Sequence, residues 1–314
     1  MRGTFDTAHL RICYINSLPF YASKIDGFYP KQEMEERALV QGGSRTIIYY
    51  IGKKTIEGTI SMPIYVGKDG TMAEGCKEII RCADNPFREF DLVINRGMMH
   101  EPLTADVYNS PVATDKHKRM TFDTAAIQKL SINISDSGPA TFEVSFVGIP
   151  SKTEENDQNL IVPNEDMMHR QCTYADCLIA IGEDNEGNPL NFKENTKEFS
   201  LVFENKIEGL YLLGQDDYAT HLYSGKTNIG GQWTEAVHSE EWDDEAGNYN
   251  HGGYVDGEKL KLAIADAVGY VEDVLYSPQE QPLGVGLLKK ITNFKATFRY
   301  GWVDANNNLV FSNL

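Results

Sequence analysis

The chain has 314 residues, 41% of them hydrophobic and 24% charged, with a formal net charge of −17. Those values suit a soluble globular protein of one large domain or two ordinary ones. They argue against a grip on nucleic acid, which needs clustered Lys and Arg, and no run of about eighteen apolar residues offers a membrane span.

Met1–Leu10 carries Asp6 and His9 and has no apolar stretch, so the sequence predicts no signal peptide and folding in a cytoplasm. Strand signals then dominate. Thr46–Tyr50 is β-branched and aromatic, and Gly58–Val66 continues in the same vein. Thr71–Ala83 sets Met72, Cys76, Ile79, Ile80 and Ala83 on one helical face. Leu130–Ser135 alternates, as does Thr141–Val147, where Phe142, Val144 and Phe146 oppose Glu143 and Ser145. Such a period of two indicates a half-buried antiparallel strand. Ser151–Gln158 follows Pro150, is polar throughout and reads as a linker. Strands are expected again at Leu178–Ile181, Glu198–Glu204, Leu210–Leu213 and Phe294–Val303. Ser239–Glu258 is an acidic loop without Lys or Arg, and Asp256–Val268 reads as a second helix with Asp256 as its N-cap. Turns are expected at Asp69–Gly70, Ser137–Gly138–Pro139, Glu186–Gly187–Asn188 and Asp304–Asn308. The sum is a mainly β protein with two short helices.

The halves echo each other. Tyr50-Ile51-Gly52-Lys53-Lys54-Thr55-Ile56-Glu57-Gly58 is answered by Tyr223-Ser224-Gly225-Lys226-Thr227-Asn228-Ile229-Gly230. Each half then runs through a strand and a helix to an A-T-F strand, Ala140-Thr141-Phe142 and Ala296-Thr297-Phe298. The shared order predicts a duplicated domain.

No catalytic constellation emerges, so no catalytic, cofactor-binding or metal residue is assigned and no cofactor is expected. The histidines lack metal spacing, and the odd set Cys13, Cys76, Cys82, Cys172 and Cys177 lacks a C-x-x-C pair, predicting buried, reduced thiols. Gly225-Lys226-Thr227 resembles the end of a phosphate loop, but Thr220 stands where the first glycine belongs, so a tight turn is expected. Asp304, Asn306 and Asn308 begin like a calcium loop, yet Leu309 replaces its glycine. Asp243 and Asp244 adjoin on a polar loop, which says nothing of the geometry that a glycosidase needs.

Phe199–Gly214, read as F-S-L-V-F-E-N-K-I-E-G-L-Y-L-L-G, resembles the strand and turn of bacteriophage tail tube proteins. Thr220–Lys226 and Gly230–Val237 resemble the family's next two segments, and Gln128–Ile132 and Thr141–Gly148 resemble its paired strands. The likeness spans about residues 40 to 314 and is to the longer, two-domain class. It implies an N-terminal arm at 1–31, a first tube-like β domain at 32–150, a linker at 151–170 and a second tube-like β domain at 171–314. Each domain would be a β-sandwich or barrel with a short helix, and the copies would assemble into a multi-subunit β-barrel tube. The implied role is a structural virion protein, not an enzyme, stacked as rings into the tail tube that conducts DNA to the host. Expected partners are other copies, three or six per ring, together with sheath, tape-measure, tail-terminator and baseplate proteins. Genomic DNA would pass without specific binding, the membrane would not be entered, and assembly would occur in the host cytoplasm. The composition also admits a β-sandwich receptor- or carbohydrate-binding tail-tip component, with Trp233, Trp242, Tyr249 and Tyr254 on one rim. The acidic balance further predicts a negative lumen, which would repel the duplex and let it slide.

Overall fold

The structure is a computed structural model that describes residues 11–41, 44–84, 89–95, 119–150, 163–164, 166–183, 189–192, 196–212, 218–238, 255–256, 260–284 and 287–298. The first half contains β1 (Arg11–Ile15), β2 (Leu18–Ala22), β3 (Lys24–Gln41), β4 (Ser44–Pro63), β5 (Tyr65–Val66), α1 (Glu74–Asp84), β6 (Phe90–Asn95), β7 (Arg119–Ser135) and β8 (Thr141–Pro150). The second contains β9 (Arg170–Gln171), a 3-10 turn at Tyr174–Asp176, β10 (Cys177–Glu183), β11 (Pro189–Phe192), β12 (Thr196–Leu210) and β13 (His221–His238). It ends with β14 (Val255–Asp256), β15 (Leu260–Ile264), β16 (Ala267–Gly284) and β17 (Leu287–Phe298).

The alternation in β8 works as expected: Phe142, Val144 and Phe146 are buried while Glu143 faces solvent. Every strand pair in the sheets is antiparallel, and one sheet takes in all strands except β5 and β9. Its ends are not joined by any pairing among the described residues, which form an open sheet and no closed barrel.

The strand order repeats. In the first half the neighbours run β2-β1-β6-β7-β8-β4-β3, and in the second β11-β10-β15-β16-β17-β13-β12. Each of these strands has a counterpart at the same place in the order, and the halves meet where β7 pairs β12. The sequence echo has a physical cause in this scheme. In β4 the register passes from Ile51 opposite Met34 to Lys54 opposite Gln32, and in β13 from Ser224 opposite Ile207 to Thr227 opposite Asn205. Gly52-Lys53 and Gly225-Lys226 are therefore the unpaired residues of the same β-bulge, made twice. Counting six residues on from each bulge glycine reaches Gly58 and Gly231, which lie opposite Phe146 and Phe294.

Several expectations change. Asp256–Val268 is no helix: Asp256 belongs to β14, Leu260–Ile264 is β15, and Ala265 turns the chain at a φ of 53° into β16. Strand β15 lies between β10 and β16 and all five of its residues are buried. A strand buried on both faces shows no solvent-facing polar period, and here, apart from the buried Lys261, the residues are apolar, so that Leu260, Ala263, Ile264, Ala267 and Val268 mimic a helical stripe. The described residues thus hold one α-helix, in the first half, which starts at Glu74 and not at Thr71. Gly225-Lys226-Thr227 is strand interior and not a tight turn. Thr141 opens β8 whereas Ala296-Thr297-Phe298 closes β17, so the A-T-F strings sit at opposite ends of equivalent strands. The expected strand at Leu210–Leu213 stops at Leu210. Residues 11–31, assigned to an arm by sequence, form β1, β2 and the start of β3, with Cys13, Ile15, Phe20 and Ala22 fully buried. Ser151–Gln158, Glu186–Asn188, Ser239–Tyr254 and Asp304–Asn308 lie outside the described residues.

Candidate functional site

At the junction of the halves, Leu130 faces Phe203, Ile132 faces Leu201 and Ile134 faces Phe199. All six side chains are buried, so the seam is sealed by apolar cross-strand pairs as well as by backbone bonds. Helix α1 lies over it, contacting both β7 and β12. Its close approach to β2 needs Gly75, where an added Cβ would meet the Pro19 carbonyl oxygen at 2.0 Å.

Both ends of α1 are held by the second half. Asp266, from the β15–β16 turn, accepts from the Met72 amide at 2.7 Å and pairs with Lys77 at 2.9 Å. Burial alone would lower the Lys77 pKa, but Asp266 and Glu74 outweigh it and leave the ammonium favoured. At the other end Asn205 donates to the Ala83 and Ile127 carbonyls, each at 3.0 Å, and accepts from Thr227 at 2.8 Å. The carbonyl of Ala83 belongs to the last turn of α1, where such acceptors lack intrahelical partners.

The run β3-β4-β8-β7-β12-β13-β17-β16 is thus a continuous eight-stranded sheet built from both halves. Strand β3 ends it on one side, pairing only with β4 among the described strands. Strand β16 ends it on the other, and beyond Tyr276 it pairs only with β17 among them.

One face of this sheet carries the core, and the other is polar in continuous cross-strand rows. Thr59, Ser145, Lys129, Glu204 and Asn228 follow one another across five strands, and Ser61, Glu143, Ser131, Val202, Gly230 and Lys295 across six. A third row runs Thr141, Asn133, Ser200, Gln232 and Asn293. Within the first, the Thr59 and Ser145 hydroxyls lie 3.1 Å apart and Lys129 meets Glu204 at 3.3 Å. Hydroxyl and amide groups prevail, and the rows' own charges balance: Glu143 and Glu204 against Lys129 and Lys295. Glu57 and Glu198 flank them on the same face, where Lys31 meets Glu57 at 3.6 Å and Lys24 pairs with Asp26, so the charges of the face are close to balance.

A cavity of about 370 Å³ opens where the Tyr174–Asp176 turn and β10 approach the ends of β7 and β12. The turn is fixed by Arg170, whose guanidinium donates two bonds of 2.6 Å to Asp176. That contact, with the Thr173 amide and hydroxyl, holds the Asp176 pKa down to about 2 although burial opposes it.

Of the residues singled out by sequence, Gly225 and Lys226 mark the bulge, and Thr227 serves Asn205. Trp233 is buried against Phe294, with ring centroids 5.6 Å apart, and so is no part of a recognition rim. Trp242, Tyr249, Tyr254, Asp243, Asp244 and Asp304–Asn308 fall outside the described residues. Four of the five thiols are buried and Cys177 is partly exposed; burial pushes Cys76 up to about 12, and the hydrogen bond with Cys172 raises Cys177. Among the described residues no cluster of three His, Cys, Asp or Glu side chains is arranged to hold a metal ion, and no helix is long and apolar enough to cross a membrane. The junction itself escaped sequence reading, although the alternating apolar residues of Leu130–Ser135 and Glu198–Glu204 were its signal. No protein-family model matches the chain, and no curated protein matches it.

Proposed function

We propose that this chain is a tube-forming structural protein of a viral tail, not an enzyme, and that its copies close through their sheet edges into stacked rings. The observation that carries the reading is the seam between β7 and β12. Two topologically equivalent halves already join side by side into one sheet, and the outer strands β3 and β16 are the counterparts of β12 and β7. A contact of β16 with β3 of the next copy repeats the internal seam. It is heterologous, and a heterologous contact that closes makes a ring.

Three chains supply six equivalent halves and about 24 strands, more than the 16–18 that leave an aqueous channel in porins. A single long, open sheet edge is a hazard for a monomer and an asset for a polymer. The polar face supports its use as the channel wall: hydroxyls, amides and charges of both signs in near balance offer DNA no row of cations to grip. The resemblance of Phe199–Gly214 and its neighbouring strands to tail tube proteins points the same way. The ring partners are then other copies, with sheath, tape-measure, tail-terminator and baseplate proteins as further contacts. The site of action is the virion, and assembly takes place in the host cytoplasm.

Electron microscopy of the purified protein, concentrated stepwise, tests the reading. Hollow tubes or rings averaging to three chains with pseudo-six-fold symmetry are expected. A protein that remains monomeric at every concentration and in the presence of tail-tip fractions would overturn the tube reading. Rings of six identical chains would overturn the count of three.

A further inference from the structure

The backbone crosses from one half of the molecule to the other between Cys172 and Cys177. On the near side β9 pairs with β5, the Cys172 amide donates to the Ile64 carbonyl at 2.7 Å, and the Cys172 carbonyl accepts from the Ala140 amide at 2.8 Å. These contacts tie residues 170–172 to the first half. On the far side Cys177 opens β10 opposite Ile264 of β15, and the Asp176 carbonyl accepts from the Ala265 amide at 2.8 Å. The Tyr174–Asp176 turn makes the crossing, and the Arg170–Asp176 ion pair braces it.

Two thiols meet at this turn. Their sulfurs are 4.0 Å apart, and the Thr173 carbonyl oxygen lies 3.7 Å from Cys172 Sγ and 3.4 Å from Cys177 Sγ. Cys172 is fully buried, whereas Cys177 is partly exposed and lines the cavity. At about 370 Å³ the cavity exceeds many times the roughly 30 Å³ share of one water, so a small oxidant fits within it.

We propose that Cys172 and Cys177 are a redox pair that a hydroperoxide converts to a disulfide, clamping the crossover between the halves. Cys177, the accessible thiol, attacks a peroxide oxygen; the O–O bond breaks, water leaves and a sulfenic acid remains. Cys172 then attacks the Cys177 sulfur, the S–O bond breaks, and the hydroxyl departs with the Cys172 proton as a second water. Two thiols and one hydrogen peroxide thus become one disulfide and two waters, the sulfurs giving up two electrons. The sulfurs must close to about 2.05 Å, by rotation about their Cα–Cβ bonds. The Cys172 contact and burial raise the Cys177 pKa, so the thiolate is scarce and the reaction slow, which suits a lasting clamp and not a rapid sensor. This chemistry does not depend on the tube reading.

The full-length reduced protein, freed of reductant and treated with hydrogen peroxide, is alkylated with N-ethylmaleimide in denaturant and digested with trypsin. Both cysteines fall in one tryptic peptide, Gln171–Lys193, which is expected unalkylated and lighter by two hydrogen atoms, with Cys13, Cys76 and Cys82 alkylated. The oxidised protein is expected to melt about 3–6 °C above the reduced one. Arg170→Gln removes the ion pair and should lower the oxidised midpoint by less than half as much as the reduced one. Cys177→Ser should abolish both the peptide shift and the gain in midpoint. Alkylation of both cysteines after peroxide that fully oxidises free glutathione would overturn the pair. So would a bond from Cys172 to its neighbour Cys76, or sulfinic acid at Cys177. A Cys172–Cys177 disulfide that leaves the midpoint unchanged would overturn the clamp.

Discussion

Replacing Asn205 by Ala measures how firmly the helix and the two halves are tied. The side chain is 5% exposed and makes three hydrogen bonds, two as donor to the Ala83 and Ile127 carbonyls and one as acceptor from Thr227. In Asn205→Ala two buried carbonyls lose their donor, at about 1–3 kcal/mol each for an unsatisfied group. A water entering the polar gap returns part of that. The Thr227 hydroxyl is partly exposed and re-bonds to solvent, so its share is small. The expected loss is about 2–4 kcal/mol, read from the urea midpoint of the monomer at constant slope. Thr227→Val should cost about 1 kcal/mol, and the double variant should fall short of the sum, because both changes act on one network. Amide exchange in α1 should speed up in Asn205→Ala more than in Thr227→Val. A loss below about 0.5 kcal/mol, or strict additivity with Thr227→Val, would refute the tie between helix and halves.

Three further outcomes are expected. Pro278 and Pro282 lie four residues apart, so their missing amides share one edge of β16, and since a sheet tolerates proline where the amide is not needed for pairing, that edge is expected to be the one away from β17. Pro278→Thr with Pro282→Thr restores two donors there, at about 0.5–1.5 kcal/mol each, and should lower the critical concentration for association about 5- to 150-fold; unchanged sedimentation would place the prolines elsewhere. The Asp176 pKa, about 2 when folded, lies below the unfolded value of about 3.9. Its contribution is thus complete above the unfolded value and is lost as pH falls through about 2, so Asp176→Asn should flatten the stability profile in that window, and an unaltered profile would count against the Arg170 pairing. Deleting Ser239–Gly253 should leave the monomer's circular dichroism intact and impair polymerisation, since this stretch occupies, between β13 and β15, the chain position that α1 holds between β4 and β6; normal tubes from the deletion would exclude it.

What the sequence made legible was local. The alternation of Phe142, Val144 and Phe146 located a strand, and the stripe of Cys76, Ile79, Ile80 and Ala83 located the helix. The Gly-Lys echo was visible as a string, but its meaning as a bulge required the register opposite it, which belongs to residues some twenty positions away. Leu260–Ile264 has a helical look in sequence because burial on both faces erases the period that separates strand from helix. Trp233 looked available for recognition until Phe294, from a strand sixty residues on, was found against it. The candidate seam depends on β7 meeting β12, a non-local pairing that no single segment encodes.

The two kinds of seam are not chemically alike, and that difference orders the steps of assembly in the proposed tube. Following the registers across the repeat, Leu130 corresponds to Pro278, Ile132 to Glu280 and Ile134 to Pro282. On the opposing strand Phe203 corresponds to Pro30, Leu201 to Gly27 and Phe199 to Ile25. The internal seam therefore joins Leu to Phe, Ile to Leu and Ile to Phe, whereas the external one would bring Pro to Pro, Glu to Gly and Pro to Ile. It loses donors to the prolines, and Pro278, Glu280, Pro282, Pro30 and Gly27 are less apolar than the Leu, Ile and Phe residues of the internal seam. Prolines and charges at a terminal strand are how proteins keep an edge from pairing at random. The internal seam consequently forms with folding, and the external seam forms only when several contacts act together, as in a ring supported by a neighbouring ring. In the proposed tube lateral closure and axial stacking are then expected to be cooperative, and weakening either should dissolve it to single rings or folded monomers and not to unfolded chains.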